Sequence, residues 1–401
     1  MRRVMIVFFA LAVMGAAASV WADDRAETDA YARLFDPSTA KLGSLFASSF
    51  LAQVPEAKIE EIVDYYTAAL GTFRKATGSA GSWQLVFDKG EAPGKISLDS
   101  AGRIQGLWFG APAPYDDTPE KLQAAFKALG GKVSVCVTRD GATTVFSVDP
   151  DTPLGVGSSF KLYILKALSQ RVAAGAARWE DVVGLKKEWM SLPSGILQAW
   201  PDGTPVTLAT LADLMISVSD NTAADHLLYT LGRAAVEAVA PSRVRPFLST
   251  REMFTIKWGM SDKDRSAYVA GSADQRAAAL SRIGPIDQGL KIPMDKPVLI
   301  DSVEWLLSTR ELCQVIYELR DIPALGINAG LVDKGSWSLA GFKGGSEPGV
   351  LNYTQVLRKT QTSLVFAVSA TMDDPSGAID MTAFTLLVSR VIGMIEQGKV
   401  Q

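Results

Sequence analysis

Histidine is nearly missing from this chain: His226 is the single one in 401 residues. Cysteine is almost as scarce, with only Cys136 and Cys313. So few soft ligands leave little for a metal site, and neither a metal nor a cofactor is expected. A serine–histidine–aspartate relay is nearly excluded too. His226 lies in an apolar helical run, where a helix-surface or packing role is expected, and no serine sits in a Gly-x-Ser-x-Gly turn. The two cysteines suffice for one disulfide in an oxidising compartment. However, Cys136 falls in a strand-like run and Cys313 in a helix-like one, so two separately buried thiols are expected.

An excess of charge is also missing. Lys and Arg number 40 against 43 Asp and Glu, a net charge of −3. That argues against a nucleic-acid partner, which needs a basic patch. Only the first 22 residues hold a long apolar run, "VMIVFFALAVMGAAA", behind a basic "MRR" and ahead of "VWA". This is the pattern of a secretory signal peptide cut after Ala22, with an uncleaved anchor as the alternative. Loss of Arg2 and Arg3 then takes the net charge to −5. A periplasmic or secreted protein is expected, without a membrane anchor after cleavage.

About 380 remaining residues suggest two domains, and 48% apolar residues allow a large core. From Ala26 to about Ala76 the pattern is helical. Strand-like runs follow at "SWQLVFD", "GKISLD" and "RIQGLWFG", in which Trp83, Phe87, Trp108 and Phe109 read as core. The stretch "APAPYDDTPEK" reads as a linker. The expected boundaries are therefore a small N-terminal α+β domain over 23–112 and a second domain over 113–401. The second opens with a helix and two strands, "KVSVCVTRD" and "TTVFSVD". It closes with three strands, "SWSLAGFKGG", "NYTQVLRK" and "SLVFAVSAT", and a helix. Two early and three late strands predict one antiparallel sheet built from both ends, with an all-helical subdomain between.

The run "GSSFKLYILKAL" (157–168) is apolar almost all round, which places its helix in the interior. Lys161 nevertheless sits in its first turn, three residues after Ser158. Positions i and i+3 share a helix face, so the amine can reach the serine hydroxyl. Burial disfavours the charged amine and makes a neutral base available to activate a serine. The helix N-terminus favours negative charge developing at Ser158. A second Ser-x-x-Lys, Ser38 to Lys41, follows Asp36-Pro37 and reads as a helix start with an exposed lysine.

Two further elements set Ser158 apart: Ser219-Asp220-Asn221, and Lys343-Gly344-Gly345 on a strand. In this order they resemble the S-x-x-K, S-D-N and K-[TS]-G elements of penicillin-recognising serine enzymes. Residues 113–401 resemble the class A β-lactamase and penicillin-binding-protein superfamily. With the extra front domain, the chain looks like the two-domain β-lactamase-like serine hydrolases, such as the one associated with clavulanic acid biosynthesis. The resemblance implies a five-stranded antiparallel sheet flanked by terminal helices, and a cystatin or steroid-isomerase-like front domain. It implies Ser158 as acylated nucleophile and Lys161 as its base. It further implies Ser219 as proton relay, Asn221 bonding Lys161 and the substrate amide, and Lys343 facing a substrate carboxylate. The N–H groups of Ser158 and Ser346 would form the oxyanion hole, and Asp220 would turn inward to hold its loop.

Two departures stand out. The family's Glu-x-x-Leu-Asn, whose glutamate activates the deacylating water, is absent. Glu252 in "LSTREMFTIKW" is the candidate deacylation base, with a surface helix glutamate as the other reading. Gly344 replaces a hydroxyl residue, for which Ser346 is a substitute. The expected activity is acyl transfer from a small β-lactam-like, ester or cell-wall peptide substrate. The alternatives are a DD-peptidase or transpeptidase-like penicillin-binding protein, and a non-catalytic binding protein that retains the pocket.

Overall fold

The computed structural model describes residues 24–39, 41–287, 289–293 and 295–400; the expected leader and its cleavage point lie outside the described residues. The fold is α+β and divides into two compact units, one holding 24–122 with 385–400, the other Gln123–Phe384.

In the first unit, helices α1 (Asp24–Leu34) and α2 (Glu56–Leu70) precede strands β1 (Phe73–Ser79), β2 (Ser82–Phe87), β3 (Gly90–Leu98) and β4 (Ile104–Phe109). The sheet runs β1-β2-β3-β4, all antiparallel, with the short β5 (Ala113–Pro114) on β3. The helical pattern expected up to Ala76 stops earlier. Gly71, at φ +82°, ends α2 in a conformation glycine adopts without strain. Phe73 then pairs with Phe87 across β1 and β2. Its ring stacks on Phe35 with centroids 5.2 Å apart. Trp83 and Phe87 are buried in this core, whereas Trp108 and Phe109 are only half-buried. Arg390 donates to both carboxylate oxygens of Asp117, which ties the C-terminal residues into this unit.

The second unit is built on β6 (Lys132–Arg139), β7 (Thr143–Val148), β8 (Leu339–Glu347), β9 (Val350–Arg358) and β10 (Val365–Asp373). The order is β8-β9-β10-β6-β7, antiparallel throughout, so early and late strands meet at β10 and β6 as the sequence predicts. The flanking helices α3 (Pro119–Ala128) and α9 (Met381–Glu396) meet it through Phe126, Phe384 and Tyr353. Between the strands lie α4 (Lys161–Ala173), α5 (Leu208–Ser217), α6 (Asn221–Leu231), α7 (Thr250–Phe254) and α8 (Thr309–Glu318). Helix α4 is central, burying Leu162, Ile164, Leu165 and Leu168 completely. Each such side chain stabilises the fold by about 2 kcal/mol.

Cys136 on β6 and Cys313 on α8 are both free and buried, but they are not separate. The Cys313 thiol donates to the Cys136 carbonyl at 3.2 Å, because α8 packs on the strand that carries it. Among the described residues, no helix is long and apolar enough to cross a membrane.

Candidate active site

Ser158 lies on a tight turn, Gly157–Phe160, that leads straight into α4. Gly157 has φ +48°, and a Cβ there would sit 2.8 Å from the Ser346 backbone nitrogen. On the facing strand β8, a Cβ on Gly345 would sit 2.4 Å from the Ser158 nitrogen and 2.1 Å from the Val156 carbonyl oxygen. Only glycine permits two backbones this close, and the approach gathers the nitrogens of Ser158 and Ser346 in one place. β8 is an edge strand, so its outer backbone groups have no strand partner within the sheet. The Ser159 hydroxyl fastens the turn to the sheet through the Asn352 amide oxygen at 2.5 Å and the Lys343 carbonyl at 3.3 Å.

Lys161 is fully buried. Its Nζ reaches the Ser219 carbonyl at 2.6 Å, the Asn221 Oδ1 at 2.6 Å and the Ser219 Oγ at 3.1 Å. Burial first, then the charge of Lys343, holds the amine far below the usual lysine range; Asp220 and Asp225 partly oppose this. A neutral amine has two N–H donors and one lone pair. In that neutral form the two 2.6 Å contacts take both donors, and the lone pair is left for a hydroxyl such as that of Ser219 at 3.1 Å.

The Ser219 loop is held in the orientation this requires. Ser219 has φ +58°, which costs about 1–2 kcal/mol for a non-glycine residue. Its carbonyl takes hydrogen bonds from Lys161 and from the Ser194 hydroxyl at 2.9 Å, which offset that cost. Asp220 turns inward and caps α6. Its carboxylate accepts from the N–H of Ala223 (2.8 Å), Ile196 (2.6 Å) and Leu197 (3.0 Å). Asn221 bonds Lys161 through its oxygen, while its amide nitrogen donates to the Leu192 carbonyl at 2.7 Å.

Lys343 reaches the same hydroxyl from the sheet side. Its Nζ lies 3.1 Å from Ser219 Oγ and 2.5 Å from the Gly344 carbonyl, and burial lowers its pKa to about 7. Gly344 faces the other way. A Cβ there would lie 2.9 Å from the Phe342 ring, so a hydroxyl residue would crowd that ring. Ser346 is exposed.

The structure therefore gathers Ser158, Lys161, Ser219, Asn221, Lys343 and Ser346. Glu252 stands differently. It is not a surface residue but is 2% exposed, as the third residue of a capping box at the start of α7. One carboxylate oxygen accepts from the Ser249 N–H at 2.8 Å, and the other accepts from Arg233 at 2.6 Å. Both oxygens are engaged with structural partners. His226 is buried rather than on a helix surface: its Nε2 accepts from the Lys186 N–H at 2.8 Å and its Nδ1 faces the Thr222 carbonyl at 2.7 Å. Both ring nitrogens are thus spent on packing. Ser38 and Lys41 are exposed and belong to the first unit.

Residues the sequence did not single out also converge on the site. Asp225 anchors the start of α7, accepting from the Thr250 and Arg251 N–H groups at 2.7 and 2.9 Å; burial raises its pKa to about 7. Lys257, Glu304 and Glu347 form a buried ion cluster beyond Gly345. Spacing hints only at Glu347, which shares the face of β8 with Lys343 and Gly345.

A serine with a buried lysine one helical turn on, and a second serine between two lysines, resembles the arrangement of β-lactamase-like serine enzymes. Residues 118–281, which carry Ser158, Lys161, Ser219 and Asn221, match the model of the beta-lactamase enzyme family. Similar solved structures include a beta-lactamase from Sphaerobacter thermophilus, 19% identical over 70% of this chain and 96% of that one (TM-score 0.48). Another is PBP-A, 15% identical over 72% and 99% (TM-score 0.47). A third is a beta-lactamase from Burkholderia phymatum, 17% identical over 68% and 96% (TM-score 0.45). No curated protein matches the chain.

Proposed function

We propose that the protein is an exported serine hydrolase that forms an acyl-enzyme at Ser158 with a β-lactam, amide or ester substrate. The observation that carries this reading is the fully buried Lys161 amine, one helical turn after Ser158 and in contact with Ser219 and Asn221. A binding protein gains nothing from a neutral lysine held at a serine. In the proposed reaction the Ser158 Oγ attacks the acyl carbonyl and its proton passes to Lys161 Nζ. The carbonyl oxygen, now negative, accepts from the N–H groups of Ser158 and Ser346. As the acyl bond to the leaving group breaks, Ser219 delivers a proton to the departing nitrogen or oxygen, and Lys161 replaces it. Lys343 supplies positive charge near Ser219 toward a substrate carboxylate, and the exposed Ser346, on the same strand face as Gly344, stands in for the hydroxyl that Gly344 lacks. Water then releases the acid and restores Ser158.

A penicillin-binding-protein-like variant, with slow deacylation, is favoured by one observation: both Glu252 oxygens already serve α7 and Arg233. For the front unit we propose a cystatin-like domain over 23–112, with the catalytic domain over 113–401.

The test is intact mass after brief exposure to a fluorescent penicillin and to a chromogenic cephalosporin, with Ser158→Ala alongside. An adduct on the wild type that is absent from the variant is expected, and its decay rate separates hydrolase from penicillin-binding protein. No adduct with either compound, or with simple esters, refutes the acyl-enzyme reading.

A further inference from the structure

Three carboxylates and one amine lie buried behind the approach of Gly157 to Ser346. Lys257 Nζ pairs with Glu347 Oε1 and lies 3.6 Å from Glu304 Oε2; the Lys257 and Glu304 side chains are 0% exposed and that of Glu347 9%. Asp373 joins them, its Oδ2 accepting from the Gly155 N–H at 2.7 Å. Each carboxylate belongs to or touches one of the two backbones that meet at the site, and Lys257 pairs with two of the three. Glu347 directly follows Ser346 on β8. A Cβ on Gly155 would lie 3.0 Å from Glu304 Cγ and 3.2 Å from Asp373 Oδ2, so that glycine admits both acids beside the strand leading to Ser158. Trp305, next to Glu304, stacks on Phe160 of the nucleophile turn at 3.5 Å between centroids.

We propose that Lys257, Glu304, Glu347 and Asp373 are positioning residues of the oxyanion hole, clamping the Gly155–Ser158 strand and turn to the end of β8, with Glu304 acting as a neutral acid that donates to Glu347. This rests on the acyl-enzyme reading above. Charge counting supports it, since three carboxylates cannot all ionise around one buried ammonium. So does hydrogen bonding. As ionised groups, Glu304 Oε2 and Glu347 Oε2 find no donor, and one proton held between these neighbouring carboxyls satisfies both. Burial, followed by the charge of Glu347, pushes Glu304 well above the carboxylate range, against the pull of Lys257. Asp373 is raised to about 7 by burial and by Glu347, with Lys132 and Lys257 opposing.

The consequence is an alkaline step in acylation set by loss of the proton of Glu304, a group that never touches substrate, in addition to the step that Lys343 sets near pH 7. The experiment measures the acylation rate and its saturation constant with a chromogenic cephalosporin from pH 5 to 10. It compares wild type with Glu304→Gln, Glu304→Ala and Lys257→Met, each with a thermal melt. Glutamine keeps a donor for Glu347 and cannot ionise. Its variant is expected to acylate within about threefold of wild type at pH 7, to keep the fall that Lys343 sets near pH 7 and to lose any further fall above it. Alanine and Lys257→Met are expected to slow acylation by on the order of tenfold or more, with the saturation constant little changed. An alkaline profile of Glu304→Gln identical to that of the wild type, or full acylation rates in Glu304→Ala, overturns the clamp alone. A wild type that no probe acylates overturns both this inference and the reading beneath it.

Discussion

Lys161 and Lys343 place their amines at the same distance, 3.1 Å, from one oxygen, Ser219 Oγ. They arrive from opposite sides, one from the first turn of α4 and the other from β8. Two ammonium groups this close repel, which is one cause of the depressed pKa of Lys161. With one amine neutral, the hydroxyl between them both donates and accepts, and a proton can cross from one lysine to the other without either moving.

Ser219→Ala cuts that connection and spares the nucleophile. The Asp220 cap on α6 does not use the lost hydroxyl, so the fold is expected to survive. Acylation is expected to fall by roughly 10²–10⁴-fold, the usual contribution of a positioned proton carrier. Stopped-flow acylation with a chromogenic cephalosporin reads this directly; a change under threefold would leave Ser219 without a part in proton transfer.

Lys343 ties stability to pH. Unfolded, its amine keeps a proton up to about 10.5; folded, it gives it up near pH 7. Across that window the unfolded chain binds more protons, so this residue makes stability rise with pH. Lys343→Met removes the effect. The wild-type advantage over the variant, from urea midpoints, is therefore expected to grow between pH 7 and 10, by up to about 1.4 kcal/mol per pH unit. Parallel curves would mean that Lys343 titrates as an ordinary lysine.

Glu252→Gln separates a structural acid from a catalytic one. The change breaks the pair with Arg233, whose side chain is 26% exposed, and weakens the capping box. Allowing for that partial solvation, a loss of about 1–3 kcal/mol is expected in chemical denaturation. The lifetime of the acyl-enzyme, followed by mass, is expected to stay within twofold. A strongly prolonged lifetime would restore Glu252 as the deacylation base.

Gly345→Ala tests the close approach. Its methyl would meet backbone atoms of Val156 and Ser158, which cannot rotate away as a side chain would. The strand must shift, so acylation is expected to drop by at least about 100-fold, in line with the cost of a misplacement near 1 Å. Stability should fall by about 1–3 kcal/mol or more. Unchanged acylation by a folded Gly345→Ala would show that the nitrogens of Ser158 and Ser346 need not converge.

What the sequence made legible was local. Ser158 and Lys161 share one helix turn, and Ser219 to Asn221 sit at one helix start, so spacing alone relates them. The five-stranded sheet was legible because its strands are long and bounded by turn residues. β1 was not, since "TFRKA" continues the helical period and only the left-handed Gly71 breaks it. The burial of Glu252 depends on Arg233, and the Lys257 cluster draws on four separate segments. No periodicity reports contacts of that kind. Lys343 reached the site through the resemblance and not through any spacing of its own.

The sheet that carries Lys343 is sewn from the two ends of its unit: β6 pairs with β10, and Val365 bonds to Asp140 across 225 residues of chain. Contacts of such long range form slowly, because loop closure must come before they stabilise anything. During synthesis the central strand pair cannot form until β10 has emerged, by which time α4 and the Ser219 loop are already made. The central strand pair therefore closes only when nearly the whole length of the chain exists. That delay makes truncation anywhere before β10 costly to the site as well as to the sheet.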